Sequence, residues 1–98
     1  MADLKKNDRY DWIIADCNSD QDGINFYRFY GSVEEVKKKL VEMVMFDMNE
    51  DKESWDFGTE NTEDVTVFPN EDELYAYGCY SYYHIDYTAR KFMNLEYV

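Results

Sequence analysis

The chain has 98 residues, a formal net charge of −12 and 18% aromatic residues, ten of the eighteen being tyrosine. That length suits one domain over residues 1–98 with a single core, and the aromatic content excludes a disordered acidic tail despite a mean hydropathy of −0.73. Cys17 and Cys79 stand far apart without a CxxC partner, which leaves no readable zinc motif or disulfide framework, and no signal peptide or run of about 20 apolar residues occurs, so reduced thiols in a cytoplasmic protein are expected.

In chain order, Tyr10–Cys17 is β-branched, aromatic and short, and reads as a strand. The turn formers from Asn18 to Gly23 follow, and Ile24–Tyr30 reads as the second strand of an antiparallel hairpin. Gly31 ends it. Ser32-Val33-Glu34-Glu35 fits a capping box, and Val33, Val36, Leu40, Met43 and Val44 recur at helical spacing over about 33–48. Glu34 with Lys38 and Glu35 with Lys39 are expected i,i+4 pairs. Met45, Phe46 and Met48 widen the apolar stripe, which predicts that the C-terminal end of the helix is covered from both sides.

Beyond the helix, Trp55 and Phe57 are spaced as on one face of a short strand. Val65–Phe68 is a clearer strand, stopped by Pro69-Asn70. Leu74–Tyr80 and Tyr82–Ala89 follow as two aromatic strands with no 3.6-residue stripe. The expected fold class is therefore α+β: an antiparallel sheet of about five strands with one amphipathic helix on one face, in the order β-β-α-β-β-β. The other face is left to tyrosine, facing solvent or a partner.

Asn18–Gly23 resembles part of a calcium loop, with oxygen side chains at alternate positions before a glycine. Asn25 and Phe29 stand where such a loop needs an apolar residue and a bidentate Glu, so a hairpin turn is the stronger reading and a calcium-responsive module the weaker. His84 and Asp86 share a strand face, and Cys79 joins them if the intervening turn folds back. A nucleophile, base and orienter can be drawn from these three, but no glycine-rich elbow or oxyanion signature accompanies them. No Walker, Rossmann or HExxH pattern occurs. A non-enzymatic protein without cofactor or metal is expected.

The acidic run is the strongest signal. Residues 41–89 hold thirteen acids and only Lys52, against a net of −1 over residues 1–40 and +1 over 90–98. Eleven of those acids are Asp47, Glu50, Asp51, Glu53, Asp56, Glu60, Glu63, Asp64, Glu71, Asp72 and Glu73. They are interleaved with Trp55, Phe57, Val65, Val67 and Phe68, so folding should hold them in place as a shaped negative surface. Such a surface suits a groove built for phosphates. The basic clusters Lys5-Lys6-Arg9, Lys37–Lys39 and Arg90-Lys91 all sit near acids, which disfavours direct nucleic-acid binding. Six tyrosines fall between Tyr75 and Tyr87, and tyrosine is a preferred interface anchor.

In its small size, acidic segment Asp47–Glu73 and tyrosine tract Tyr75–Tyr87, the chain resembles in type the small inhibitors of phages and mobile elements, namely anti-CRISPR and DNA-mimicking anti-restriction proteins. The resemblance implies a partner that is a basic nucleic-acid-binding protein, such as a Cas nuclease or restriction enzyme. The residues expected to bind it are the eleven acids together with Tyr75, Tyr77 and Tyr82. The alternative is a small structural or adaptor module that forms a homodimer through its tyrosine-rich sheet face, with the acids serving solubility alone.

Overall fold

A computed structural model describes residues 8–18, 23–48, 57–80, 83–94 and 98. β1 (Tyr10–Asn18) and β2 (Asn25–Gly31) form the predicted hairpin, in antiparallel register from Tyr10↔Gly31 to Asp16↔Asn25. Gly23 in the turn has a φ of +96°, a left-handed conformation that glycine adopts without steric cost. The calcium-loop positions 19–22 lie outside the described residues.

Helix α1 (Val33–Met48) begins where the capping box places it. The Glu35 amide donates to the Ser32 hydroxyl at 3.2 Å, and the Ser32 amide donates to the Glu35 carboxylate at 2.8 Å. Val36, Leu40 and Val44 are fully buried, with Val33 and Met43 packed beside them. Two expectations are corrected here. Phe46 is 82% exposed, so the end of the helix is covered on one side only: the stripe that meets the sheet is the i, i+4, i+8 row, and Phe46 lies off it. The ion pairs also differ, with Lys37 meeting Glu34 at 3.2 Å and Lys39 meeting Glu42 at 3.7 Å. Glu35 is turned back into the cap, where Arg9 reaches it at 3.0 Å.

Four further strands complete the sheet: β3 (Phe57–Gly58), β4 (Thr66–Val67), β5 (Glu73–Tyr80) and β6 (Tyr83–Lys91). All pairings are antiparallel, in the order β2-β1-β6-β5-β3, with β4 beside β3 on the same edge of β5. The fold is thus α+β with the predicted order of elements, and the two-residue β3 is the short strand anticipated near Trp55. Trp55 itself lies outside the described residues.

Strand alternation divides the sheet cleanly. Trp12 and Ile14 of β1, Leu74 and Ala76 of β5, and Ile85, Tyr87 and Ala89 of β6 are buried beneath α1. The registers Trp12↔Lys91, Ile14↔Ala89 and Leu74↔Ala89 put them on one face. The Trp12 indole N–H donates to the Gly31 carbonyl at 2.9 Å, which satisfies its one polar group in the core. A β-carbon on Gly31 would stand 2.8 Å from the Phe29 ring and 3.1 Å from the Glu35 Cβ, so a side chain there would push on the helix cap.

Candidate functional site

The open face of the sheet carries the alternate residues: Ile13, Ala15 and Cys17 of β1, Phe26, Arg28 and Tyr30 of β2, Tyr75, Tyr77 and Cys79 of β5, and His84, Asp86 and Thr88 of β6. On its β5–β6 half, four side chains lock together. Tyr75 and Tyr77 stack with ring centroids 5.7 Å apart, and Tyr77 stacks on His84 at 6.3 Å. Asp86 joins the two ends, accepting a hydrogen bond from the Tyr75 hydroxyl and lying 2.7 Å from His84 Nδ1. Burial, then the Asp86 carboxylate, pushes the Tyr75 hydroxyl well above the usual tyrosine range. The result is a rigid aromatic platform.

Cys79 stands directly opposite His84, so the β5–β6 register puts the third member of the imagined triad on the same face. The arrangement offers an oriented imidazole and a neighbouring thiol on a flat surface. Acyl transfer needs in addition an enclosed site with oxyanion donors, and the two grooves described below include none of these three residues. No group of three His, Cys, Asp or Glu among the described residues is placed to hold a metal ion.

The acidic residues divide into three sets. Glu60, Glu63, Asp64 and Glu71 are exposed. Glu63 and Asp64 sit on a 3-10 turn (Thr62–Asp64) and Glu60 just before its Asn61 cap, with the geometry fixed by hydrogen bonds: Asn61 accepts the Glu63 amide at 3.0 Å, and Asp64 accepts the Glu60 and Asn61 amides at 3.2 and 3.3 Å. This turn links β3 to β4 along the edge of β5, and Thr66 of β4 lies opposite Tyr75. The carboxylates therefore lie along the β5 edge of the sheet, on a turn that also contacts α1, and none of the ion pairs among the described residues includes Glu60, Glu63 or Glu71.

The second set is engaged within the molecule. Asp72 meets Lys91 at 3.5 Å and Glu73 meets Arg90 at 3.8 Å. Lys91 is nearly buried and lies over the Tyr10 ring at 3.9 Å. Asp47 accepts hydrogen bonds from the Tyr87 hydroxyl and, at 3.3 Å, from the Asn18 amide. The third set, Glu50, Asp51, Glu53 and Asp56, lies outside the described residues, as does Tyr82.

Asp47 belongs to a feature that sequence reasoning missed. Asp16 is 2% exposed and accepts from the Tyr27 hydroxyl at 2.8 Å and the Asn25 amide at 3.3 Å. Asp16 and Asp47, each holding a tyrosine hydroxyl, meet where the end of α1 crosses β1, β2 and β6. They lie beside a groove of about 310 Å³ between Tyr27, Met43, Phe46 and Tyr87. The signal was present: Asp16 occupies an inward strand position in step with Trp12 and Ile14, where a carboxylate must be hydrogen-bonded. A second groove, of about 320 Å³, lies between Tyr10, Tyr30, Phe92 and Met93.

Comparison with protein-family models, with curated proteins and with solved structures finds no match for this chain. No helix among the described residues is long and apolar enough to cross a membrane.

Proposed function

We propose that the chain is a protein-binding inhibitor, without catalytic activity of its own, that occupies the basic nucleic-acid-binding groove of a nuclease of the CRISPR-effector or restriction type. The observation that carries this reading is the acidic rim. Glu60 and Glu63 are exposed at a turn whose caps hold it in one conformation, along the edge of β5, the strand that carries the stacked Tyr75 and Tyr77. Carboxylates on an ordered turn form a directed field, which speeds encounter with a basic groove and favours register there. The neighbouring tyrosines supply area at small entropic cost. The engaged residues Asp47, Asp72 and Glu73 contribute to fold stability in this scheme, which narrows the binding set among the described residues to Glu60, Glu63, Asp64, Glu71, Tyr75 and Tyr77.

Titration into a panel of Cas and restriction nucleases is expected to suppress cleavage stoichiometrically, with binding that weakens as salt is added. Glu60→Gln with Glu63→Gln is expected to reduce the association rate most. Unaltered cleavage across the panel, or association indifferent to salt, sinks the proposal.

A further inference from the structure

The two edges of the sheet are unlike. On the β5 side the edge is occupied by β3 and β4, whereas β2 has no neighbour on its outer side among the described residues. Natural edge strands are ordinarily guarded by charged side chains, lysine above all, or by proline, a bulge or shortness. Asn25-Phe26-Tyr27-Arg28-Phe29-Tyr30-Gly31 has no lysine, proline or bulge. It pairs with β1 over seven uninterrupted residues, and its one charge, Arg28, is drawn to Asp11 of its own sheet at 3.5 Å. Ile24, Phe26, Tyr27 and Tyr30 are exposed on or beside it.

Charge selects the occupant. Each copy carries −12, so self-association is permitted only where carboxylates are scarce. Among the four long strands, β2 alone has no acid: β1 has Asp11 and Asp16, β5 has Glu73 and β6 has Asp86. The exposed Glu60, Glu63 and Asp64 lie beyond the opposite edge, roughly 19 Å away at about 4.8 Å per strand. That is more than two Debye lengths at physiological ionic strength. Two copies meeting at β2 therefore point their acidic rims apart.

We propose that the chain forms a homodimer by antiparallel pairing of β2 with β2 of a second copy, across a twofold axis at Tyr27, so that the two sheets become one. Charge also chooses the register. An axis at Arg28 sets two guanidinium groups directly opposite one another, which is unfavourable. An axis at Tyr27 sets Phe26 opposite Arg28 of the partner subunit, twice, on the open face that both residues already occupy. This inference is independent of the proposed function, because the acidic rim and the β2 edge lie on opposite sides of the sheet.

Sedimentation velocity of the full chain is expected to give a dimer that dissociates on dilution. Isotope-filtered NMR on an equal mixture of labelled and unlabelled chain is expected to show contacts between Phe26 and Arg28 of the partner subunit, and between the two Tyr27 rings. Phe26→Lys should weaken the dimer about tenfold or more with an unchanged circular-dichroism spectrum, whereas Phe46→Lys on the helix should leave it intact. A monomer at every concentration overturns the inference, as does a dimer insensitive to Phe26→Lys. So do intersubunit contacts made by Tyr75 and Tyr77, or a β2 edge that pairs only with a segment of a different protein.

Discussion

Four tyrosines, Tyr10, Tyr27, Tyr75 and Tyr87, hold their protons more tightly in the folded protein than the ordinary value of 10.0 implies. For Tyr75 and Tyr87 burial is the main cause and the Asp86 or Asp47 carboxylate the next; for Tyr27 the hydrogen bond to Asp16 leads. A hydroxyl whose folded value is raised contributes stability that is complete below the unfolded value and is lost as pH climbs through the folded one. Denaturant unfolding is therefore expected to show stability falling steadily above about pH 10. Tyr75→Phe should make that decline shallower, and ultraviolet titration should lose one late-ionising tyrosine. Glu35 behaves in the opposite sense. The hydrogen bond from Arg9, then that from the Ser32 amide, lowers it from 4.5 to about 2, so its contribution is present above 4.5 and fades as pH falls toward 2. Glu35→Gln is expected to flatten acid unfolding over that interval. At Asn70 and Glu71 the backbone adopts φ values of 72° and 55°, a region costly for residues with a β-carbon. Glu71→Gly should raise stability by about 0.5–1 kcal/mol, measured by the denaturation midpoint.

At the level of elements, α1 is anchored at its start by the Ser32–Glu35 box and along its length by Val36, Leu40 and Val44. Ser32→Ala is expected to cost about 1 kcal/mol and Leu40→Ala about 2–5 kcal/mol, both read from chemical denaturation. The larger figure belongs to the larger void, because Leu40 is fully enclosed between helix and sheet. These elements were legible in the chain because each carries a local mark: the box before the helix, Asp22-Gly23 in the hairpin turn, and the tyrosine alternation of β5 and β6. Strand order was not legible. It depends on Ile14 meeting Ala89 and Asp16 meeting Tyr87, contacts that join the two ends of the sequence and leave no trace in local periodicity. For the same reason eleven acids looked alike in sequence, although Asp47, Asp72 and Glu73 have partners from distant segments in Tyr87, Lys91 and Arg90.

Across the described sheet the two edges differ in charge, with exposed carboxylates on the turns along the β5 side and an acid-free strand, β2, on the other. A net −12 opposes compaction through self-repulsion, which mobile ions screen. Added sodium chloride is expected to raise the melting temperature of the isolated protein even as it weakens attraction to a basic partner. The two trends run in opposite directions, so calorimetry of the free protein and of a complex separates them. β6, the last long strand described, sits in the middle of the sheet between β1 and β5. A ribosome must therefore release residues through Lys91 before the first hairpin and the β5 segment can be joined. Until then the aromatic halves have only each other's surfaces or a chaperone to cover them, and assembly has to proceed as one late, concerted event instead of stepwise behind the exit tunnel.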